Sequence, residues 1–364
     1  MQIKAAVTRE ANAAFVIEDV HIEAPRCDEI LIKVLACGIC HTDELARIQA
    51  LPVPLPIVLG HEGCGIVEEV GADVREFKPG DRVAVSFGYC GTCAQCAAGN
   101  PTLCELFVKL NFGGVMTDNT SRLSQNGTPI ASFFGQSTFA THAVVSERSA
   151  VKIPDDIPLE ITGPLGCGIQ TGAGAVLNRI KPRPGSAIVV FGCGSVGLSA
   201  VMAAKLSGCG MIIGVDVVPA RLEMARELGA THVLNSAVTT DIAGEVRKLT
   251  GAGADFSVDS TGKSVCTRMA LHSIRPGGAA VIVGGGREVT INIEIDLMGC
   301  SKSLVGVTEG DSNPKLFIPE LLEHYRAGRL PFDKLITYYD FTDIGKAMDD
   351  VHSGKVIKAV LKMD

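Results

Sequence analysis

Four cysteines, Cys90-x-x-Cys93-x-x-Cys96 followed by Cys104, form the densest chemistry-bearing run in the chain. Four thiolates this close in sequence can surround one Zn²⁺ tetrahedrally with no ligand from elsewhere. A closed site of that kind stabilises structure and does not react. Gly88, Gly91, Gly99 and Pro101 supply the turns that bend a short lobe around an ion. An iron–sulfur cluster and a loop of free thiols are the competing readings of the same spacing. Two further stretches hold metal-type residues, Cys37-Gly38-Ile39-Cys40-His41-Thr42-Asp43 and Gly60-His61-Glu62. Each alone is ambiguous, because a single cysteine beside a strand is more often a small buried hydrophobe. A lone histidine, likewise, is more often satisfied by a hydrogen bond. Cys167, in Leu165-Gly166-Cys167-Gly168, changes the balance. Cys40, His61 and Cys167 together would make a Cys₂His site with an open fourth position, the form zinc takes where it is catalytic.

A second kind of chemistry is carried by residues 187–216. An apolar run at 187–191 is followed at once by Gly192-Cys193-Gly194-Ser195-Val196-Gly197. An apolar helical pattern then leads to a second strand at 211–215, which ends in Asp216. Strand, glycine turn, helix, strand and an acid about twenty residues on make a βαβ dinucleotide-binding unit. Gly192 allows the tight turn, Gly194 lets backbone amides approach a pyrophosphate, and Gly197 lets the helix lie close on the sheet. The helix N-terminus adds free N–H groups and partial positive charge. Asp216 can accept both ribose hydroxyls of NAD and repels the 2′-phosphate of NADP. Arg221 also admits a phosphate-binding reading, but with Asp216 in place NAD is the expected cofactor.

These residues must be positioned by a chain of 364 residues, long enough for two domains. Hydrophobic content of 46% with 20% charged residues marks it as globular. A net charge of −7 without a basic cluster argues against nucleic acid or an anionic membrane surface as partner. Thirteen cysteines, no export signal and no long apolar span point to metal or thiol chemistry in the cytoplasm, not to disulfides. The first 150 or so residues lack helical periodicity over most of their length. Short strand-like runs at 5–7, 30–35, 65–70 and 82–85 are separated by turns such as Lys78-Pro79-Gly80-Asp81. Regular alternation begins only near Cys167, with strands expected at 187–191, 211–215, 233–234, 255–259 and 279–283. The expected fold is therefore α/β, a Rossmann-type doubly wound parallel sheet joined to a β-rich domain. A helix at 314–327, a segment at 335–340 and a last strand at 356–363 complete the chain.

With these residues assembled, the chain resembles the zinc-dependent medium-chain alcohol dehydrogenases over essentially its full length. The resemblance is carried by Cys40-His41-Thr42-Asp43, by Gly60-His61-Glu62 with Gly63-Cys64-Gly65 behind it, and by the four-cysteine lobe. Gly166-Cys167-Gly168 and the nucleotide fingerprint carry it further. A finer resemblance points to the aryl-alcohol (benzyl-alcohol) dehydrogenases of bacterial aromatic degradation. It lies in residues 133–142, in 168–174, and in Gly306-Val307-Thr308-Glu309-Gly310 with the Pro314-Lys315 and Phe317-Ile318-Pro319-Glu320 that follow.

The resemblance implies a GroES-like catalytic domain from residues 1–168 and 309–364 and an NAD-binding Rossmann domain from 169–308. It implies two Zn²⁺ per chain, one catalytic at Cys40, His61 and Cys167 and one structural at Cys90, Cys93, Cys96 and Cys104. Thr42 is then the hydroxyl that takes the substrate proton, Asp43 orients the His61 ring, and Glu62 stands beside the metal. His41 faces the cofactor pyrophosphate, Thr171 the carboxamide end of the nicotinamide, and Lys358 a cofactor phosphate. Phe133 and Phe134 match positions that line the substrate pocket, where aromatic walls suit a flat ring. One position departs from the family pattern: Leu45 stands where many members carry a proton-relaying histidine. A small-molecule alcohol or aldehyde is the expected substrate, and a homodimer or homotetramer the expected assembly. An allylic alcohol such as geraniol, the glutathione adduct of formaldehyde, and a non-catalytic scaffold are the alternatives.

Overall fold

The strand Glu29–Gly38 is the hub of the first of two units into which the chain folds. The computed structural model describes residues 1–286 and 288–363. The first unit comprises Met1–Cys167, Asn313–Glu320 and Asp333–Asp364. Leu31, Ile32, Val34, Ala36 and Cys37 are buried along the hub, so the strand reads as nearly continuous apolar sequence. It pairs antiparallel with Gly63–Val70, with His142–Ser146 and with the last strand, Lys358–Lys362. The complete sheet has seven strands, with Arg82–Val85 and Ala150–Lys152 beyond Gly63–Val70, and Ile336–Asp340 beyond Lys358–Lys362. A second, five-stranded sheet runs in the order Ile57–Val58, Gln2–Thr8, Val16–Ile22, Leu123–Gln125, Thr128–Ile130. Ile3, Val20, Ile30, Ile32, Val67 and Val85 share one apolar core in this unit. Each such side chain contributes about 1.5–3 kcal/mol on burial.

Registry around the hub explains why distant residues converge. Cys37 faces Gly63, while Gly38 faces Val360, and the amide of Ile39 donates to the carbonyl of Ala359 at 2.9 Å. The hub's C-terminal end, the start of Gly63–Val70 and the start of Lys358–Lys362 therefore meet at one place. Cys40 follows the hub directly and opens the short helix His41–Arg47.

The second unit, Gly168–Ser312 with Leu321–Phe332, holds a six-stranded parallel sheet. Its order is His232–Asn235, Met211–Asp216, Ala187–Phe191, Ala254–Asp259, Ile274–Ile282, Ser303–Gly306. The helices Ser195–Leu206, Pro219–Leu228, Ile242–Thr250 and Ser264–Ser273 connect its strands. The chain moves outward in opposite directions from Ala187–Phe191, so the crevice at that strand's C-terminal end is the topological switch point where such sheets bind ligands.

The β-rich and doubly wound halves are both present, with three differences in detail. Strands at Val16–Ile22, Leu123–Gln125, Thr128–Ile130, His142–Ser146 and Ala150–Lys152 were not among those expected; most are three to five residues long. The strand expected at 279–283 begins at Ile274 and runs through Pro276-Gly277-Gly278, where its pairing with Ala254–Asp259 shifts register. The turn at 309–312 and the segment Leu321–Phe332 group with the second unit, although a boundary at 309 assigned them to the first. Among the described residues, no helix is long and apolar enough to cross a membrane.

Candidate active site

Cys40, His61, Glu62 and Cys167 each offer a ligand atom, and these atoms all lie within 4.8 Å of one another. Three different local structures deliver them: the end of the hub strand, the residues before Gly63–Val70, and the turn after the 3-10 segment Gly163–Gly166. The donor set is two thiols, an imidazole and a carboxylate. His61 Nε2 is buried with no hydrogen-bond partner, an orphaned nitrogen that a metal ion at this place would satisfy. That chemistry fits zinc, with nitrogen and sulfur as the expected ligands.

The ring of His61 is fixed on three sides. Its Nδ1 lies 2.9 Å from Asp43 Oδ1, and both side chains are fully buried. The same Asp43 oxygen accepts from the amide of Gly60 at 3.0 Å, while Oδ2 accepts from the amide of Cys40 at 3.0 Å. One carboxylate thus ties together the segments that carry two of the metal-type residues. The Phe134 ring stacks on the imidazole with centroids 4.3 Å apart and planes 20° apart, and Phe133 meets it edge-on at 5.5 Å. Phe112 in turn stands edge-on to Phe134 at 5.2 Å.

Electrostatics suit a bound cation. Cys40 is held well below the ordinary thiol range, first by its hydrogen bond with Cys167 and, against burial, by His61 and Lys358. Burial disfavours a charged His61 ring, yet Asp43 and Cys40 outweigh it and lift the ring well above the usual histidine value. Glu62 is raised by burial, with Lys358 opposing the shift. Thr42 is half-buried beside this group, its Oγ1 3.6 Å from Cys40 Sγ. His41 is exposed and Leu45 half-buried on the same short helix.

The cysteine lobe forms a second group, Cys90, Cys93, Cys96 and Cys104, with all four sulfurs within 4.8 Å of one another. Amides of Thr92 and Cys93 donate to Cys90 Sγ at 3.4 and 3.3 Å, and those of Cys90 and Leu106 to Cys104 Sγ. Burial raises the Cys90 thiol, but the amides of Thr92 and Cys93, with the Thr92 hydroxyl and Cys104, outweigh it and bring it to about 6. Four convergent thiols with no second donor type fit a structural zinc.

In the second unit the glycine turn stands at the switch point. Gly192 has φ +86°, and a Cβ on Gly197 would lie 1.7 Å from the Gly192 carbonyl oxygen, so turn and helix could not approach with larger residues. Gly194 precedes the first turn of Ser195–Leu206, where Val196 lies. Asp216 is 8% exposed and accepts from the amides of Cys193, Val217 and Val218. Arg221 lies in the first turn of Pro219–Leu228, its Nε buried and without a hydrogen bond. Thr171 is buried on the helix Gly168–Gly174.

Lys358, for which a cofactor phosphate is expected, has a partner within the protein as well. Its ammonium is buried against Glu62, because the strand that carries it lies beside the hub strand. Two contributors were not singled out as site residues in the sequence. Gln136 donates to the carbonyls of His61 and Ser86 at 3.1 Å each, and Phe112 completes the aromatic cluster. Gln136 lies inside the 133–142 stretch already noted; nothing local marks Phe112.

Comparison with known proteins gives a consistent set of similarities. Residues 26–155 match the alcohol dehydrogenase GroES-like domain, and 195–324 the zinc-binding dehydrogenase domain. Geraniol dehydrogenase of Castellaniella defragrans is 45% identical over 363 residues, 98% of this chain and 97% of that protein. The crystal structure of benzyl alcohol dehydrogenase from Acinetobacter calcoaceticus matches with a TM-score of 0.96 at 43% identity, covering 100% of both chains. An alcohol dehydrogenase zinc-binding domain protein from Burkholderia ambifaria matches with a TM-score of 0.96 at 44% identity, covering 100% of this chain and 99% of that one.

Proposed function

The chain belongs to the zinc-dependent medium-chain alcohol dehydrogenases, and from that premise we propose that it oxidises primary aryl (benzyl-type) alcohols to aldehydes, reversibly and with NAD⁺. The observation that carries the substrate class is the pair Phe133 and Phe134 against the His61 imidazole, with Phe112 packed behind them. Rings packed against a metal ligand favour a flat apolar substrate next to it. The likeness to benzyl alcohol dehydrogenase supports the same reading.

Bound here, zinc supplies the Lewis acidity that makes an alcohol acidic near neutral pH, and NAD⁺ supplies the hydride acceptor. Cys40, His61 and Cys167 would hold the metal, while Asp43 keeps the imidazole in the tautomer that leaves Nε2 free to ligate. Thr42 Oγ1 receives the hydroxyl proton. Leu45 offers it no onward route along the helix, so release passes to solvent or buffer. In the nucleotide unit, the switch-point turn and the N-terminus of Ser195–Leu206 would receive the pyrophosphate. The buried negative charge of Asp216 favours NAD over NADP.

A second reading, an allylic or terpene alcohol substrate, is favoured by the geraniol dehydrogenase relative. A steady-state panel of benzyl alcohol, geraniol, ethanol and S-hydroxymethylglutathione with NAD⁺ and NADP⁺ separates them. The highest kcat/KM is expected for benzyl alcohol with NAD⁺. Preference for geraniol moves the assignment to the second reading, and turnover confined to the glutathione adduct overturns both. For assembly, we propose a homodimer or homotetramer. Ser303–Gly306 ends the parallel sheet, and Ile293, Ile295 and Met298, a few residues earlier in the chain, are 68–69% exposed. An unpaired strand edge invites a second copy, and light scattering of the purified protein tests this.

A further inference from the structure

The ammonium of Lys358 is 2% exposed and lies 2.8 Å from each Glu62 carboxylate oxygen and 3.0 Å from the Ile39 carbonyl oxygen. Both oxygens of one carboxylate and a backbone carbonyl thus accept from a single buried ammonium. Glu62 at the same time belongs to the group with Cys40, His61 and Cys167 whose ligand atoms lie within 4.8 Å. Carboxylate oxygens are ordinary zinc ligands. A fourth protein donor with that reach could close the position an alcohol must occupy. The opposite side is shaped for the same carboxylate: a Cβ on Gly38 would stand 2.0 Å from Glu62 Oε2. Glu62 therefore fills space that any side chain at position 38 would take, and it is pinned there from the other side by Lys358.

We propose that Lys358 is a positioning residue that holds Glu62 out of the fourth coordination position and so keeps that position open for substrate. The inference rests on the catalytic-zinc reading above and adds to it the device that keeps the site from closing on itself. Take Lys358 away and the Glu62 carboxylate is buried without its countercharge, which is costly. The ion held by Cys40, His61 and Cys167 is then the nearest cation that can satisfy it. The opening of the site thus depends on a strand whose sequence lies at the far end of the chain.

Cobalt-substituted protein tests this, because visible d–d absorption depends on the number and kind of ligands. In Lys358→Met the bands of the Cys40/His61/Cys167 site should shift toward those of a closed, carboxylate-ligated centre. Zinc release from that site to a chelator should slow about tenfold. Adding Glu62→Gln to Lys358→Met should reverse both changes, and Lys358→Arg should show neither. Glu62→Gln alone should leave the cobalt spectrum as in the unaltered protein, and Lys358→Gln, which removes the charge but keeps a donor, should shift the bands as Lys358→Met does and repeats the test if that variant does not fold. A spectral shift in Glu62→Gln alone, or none in Lys358→Met, overturns the proposal. Metal analysis of the unaltered protein separates this from the underlying reading. If the Cys40/His61/Cys167 site takes up no ion, the catalytic-zinc reading itself fails. If it does take one up and Lys358→Met changes nothing, only the positioning role fails.

Discussion

Asp43 Oδ1 and His61 Nδ1 stand 2.9 Å apart with both side chains fully buried, and the same carboxylate receives the amides of Cys40 and Gly60. The aspartate orients the imidazole and also fastens the two loops that carry Cys40 and His61. Asp43→Asn keeps the size but removes the charge that complements the ring. Zinc affinity at this site should fall by about 10–100-fold, as for other orienting partners of metal-bound histidines. Zinc at the cysteine lobe should be unchanged. Chelator competition followed site by site reads both, and equal loss at both sites would point to general misfolding.

Thr42 and Leu45 set the fate of the proton. Thr42→Val should lower kcat/KM by about 10²–10⁴-fold with little change in metal content, the usual contribution of a positioned proton-transfer group. Leu45→His should raise turnover at low buffer concentration and reduce its dependence on added buffer. A pH–rate profile and buffer series identical in both proteins would remove the idea that Leu45 interrupts the relay.

The cysteine lobe should behave as a structural clamp. Cys90→Ser should cost that group its zinc and lower the melting temperature by about 5 °C or more. Zinc at the Cys40 group should remain. Metal analysis alongside a thermal melt measures both, and an unchanged melting temperature would refute the structural role.

Asp255 ties the first strand of the parallel sheet to its neighbours. Burial opposes its ionisation, but the Ala187 amide at 2.7 Å and Arg275 at 2.7 Å outweigh it and lower its pKa. A carboxylate depressed in the folded state stabilises the fold above its unfolded value of about 3.9, and that stability is lost as pH falls through the lower, folded value. Asp255→Asn should therefore cost about 1 kcal/mol at pH 7. The difference from the unaltered protein should shrink below about pH 4. Denaturant titrations of both proteins at the two pH values test the sign, and a gap that widens on acidification contradicts it.

The parts of this protein written locally were legible from its residues alone. Cys90, Cys93, Cys96 and Cys104 lie within one short lobe, and the Gly192–Gly197 turn is followed by its own helix and acid. Such motifs close over distances that the chain spans by itself, so type and spacing suffice. Strands with a nearly unbroken apolar run, such as Glu29–Gly38, could be placed, whereas Val16–Ile22, interrupted by Glu18, Asp19 and His21, could not. The three-residue strands could not, because pairing partners decide them and their own composition does not. Tertiary structure alone determined that Asp43 bonds three separate groups and that Phe134 lies flat on His61. It also decided that Lys358, 296 positions from Glu62, pairs with that carboxylate. Side-chain partners across a sheet follow from strand register, and register comes from the packing of the whole core. No stretch of sequence near Lys358 encodes which strand will lie beside it.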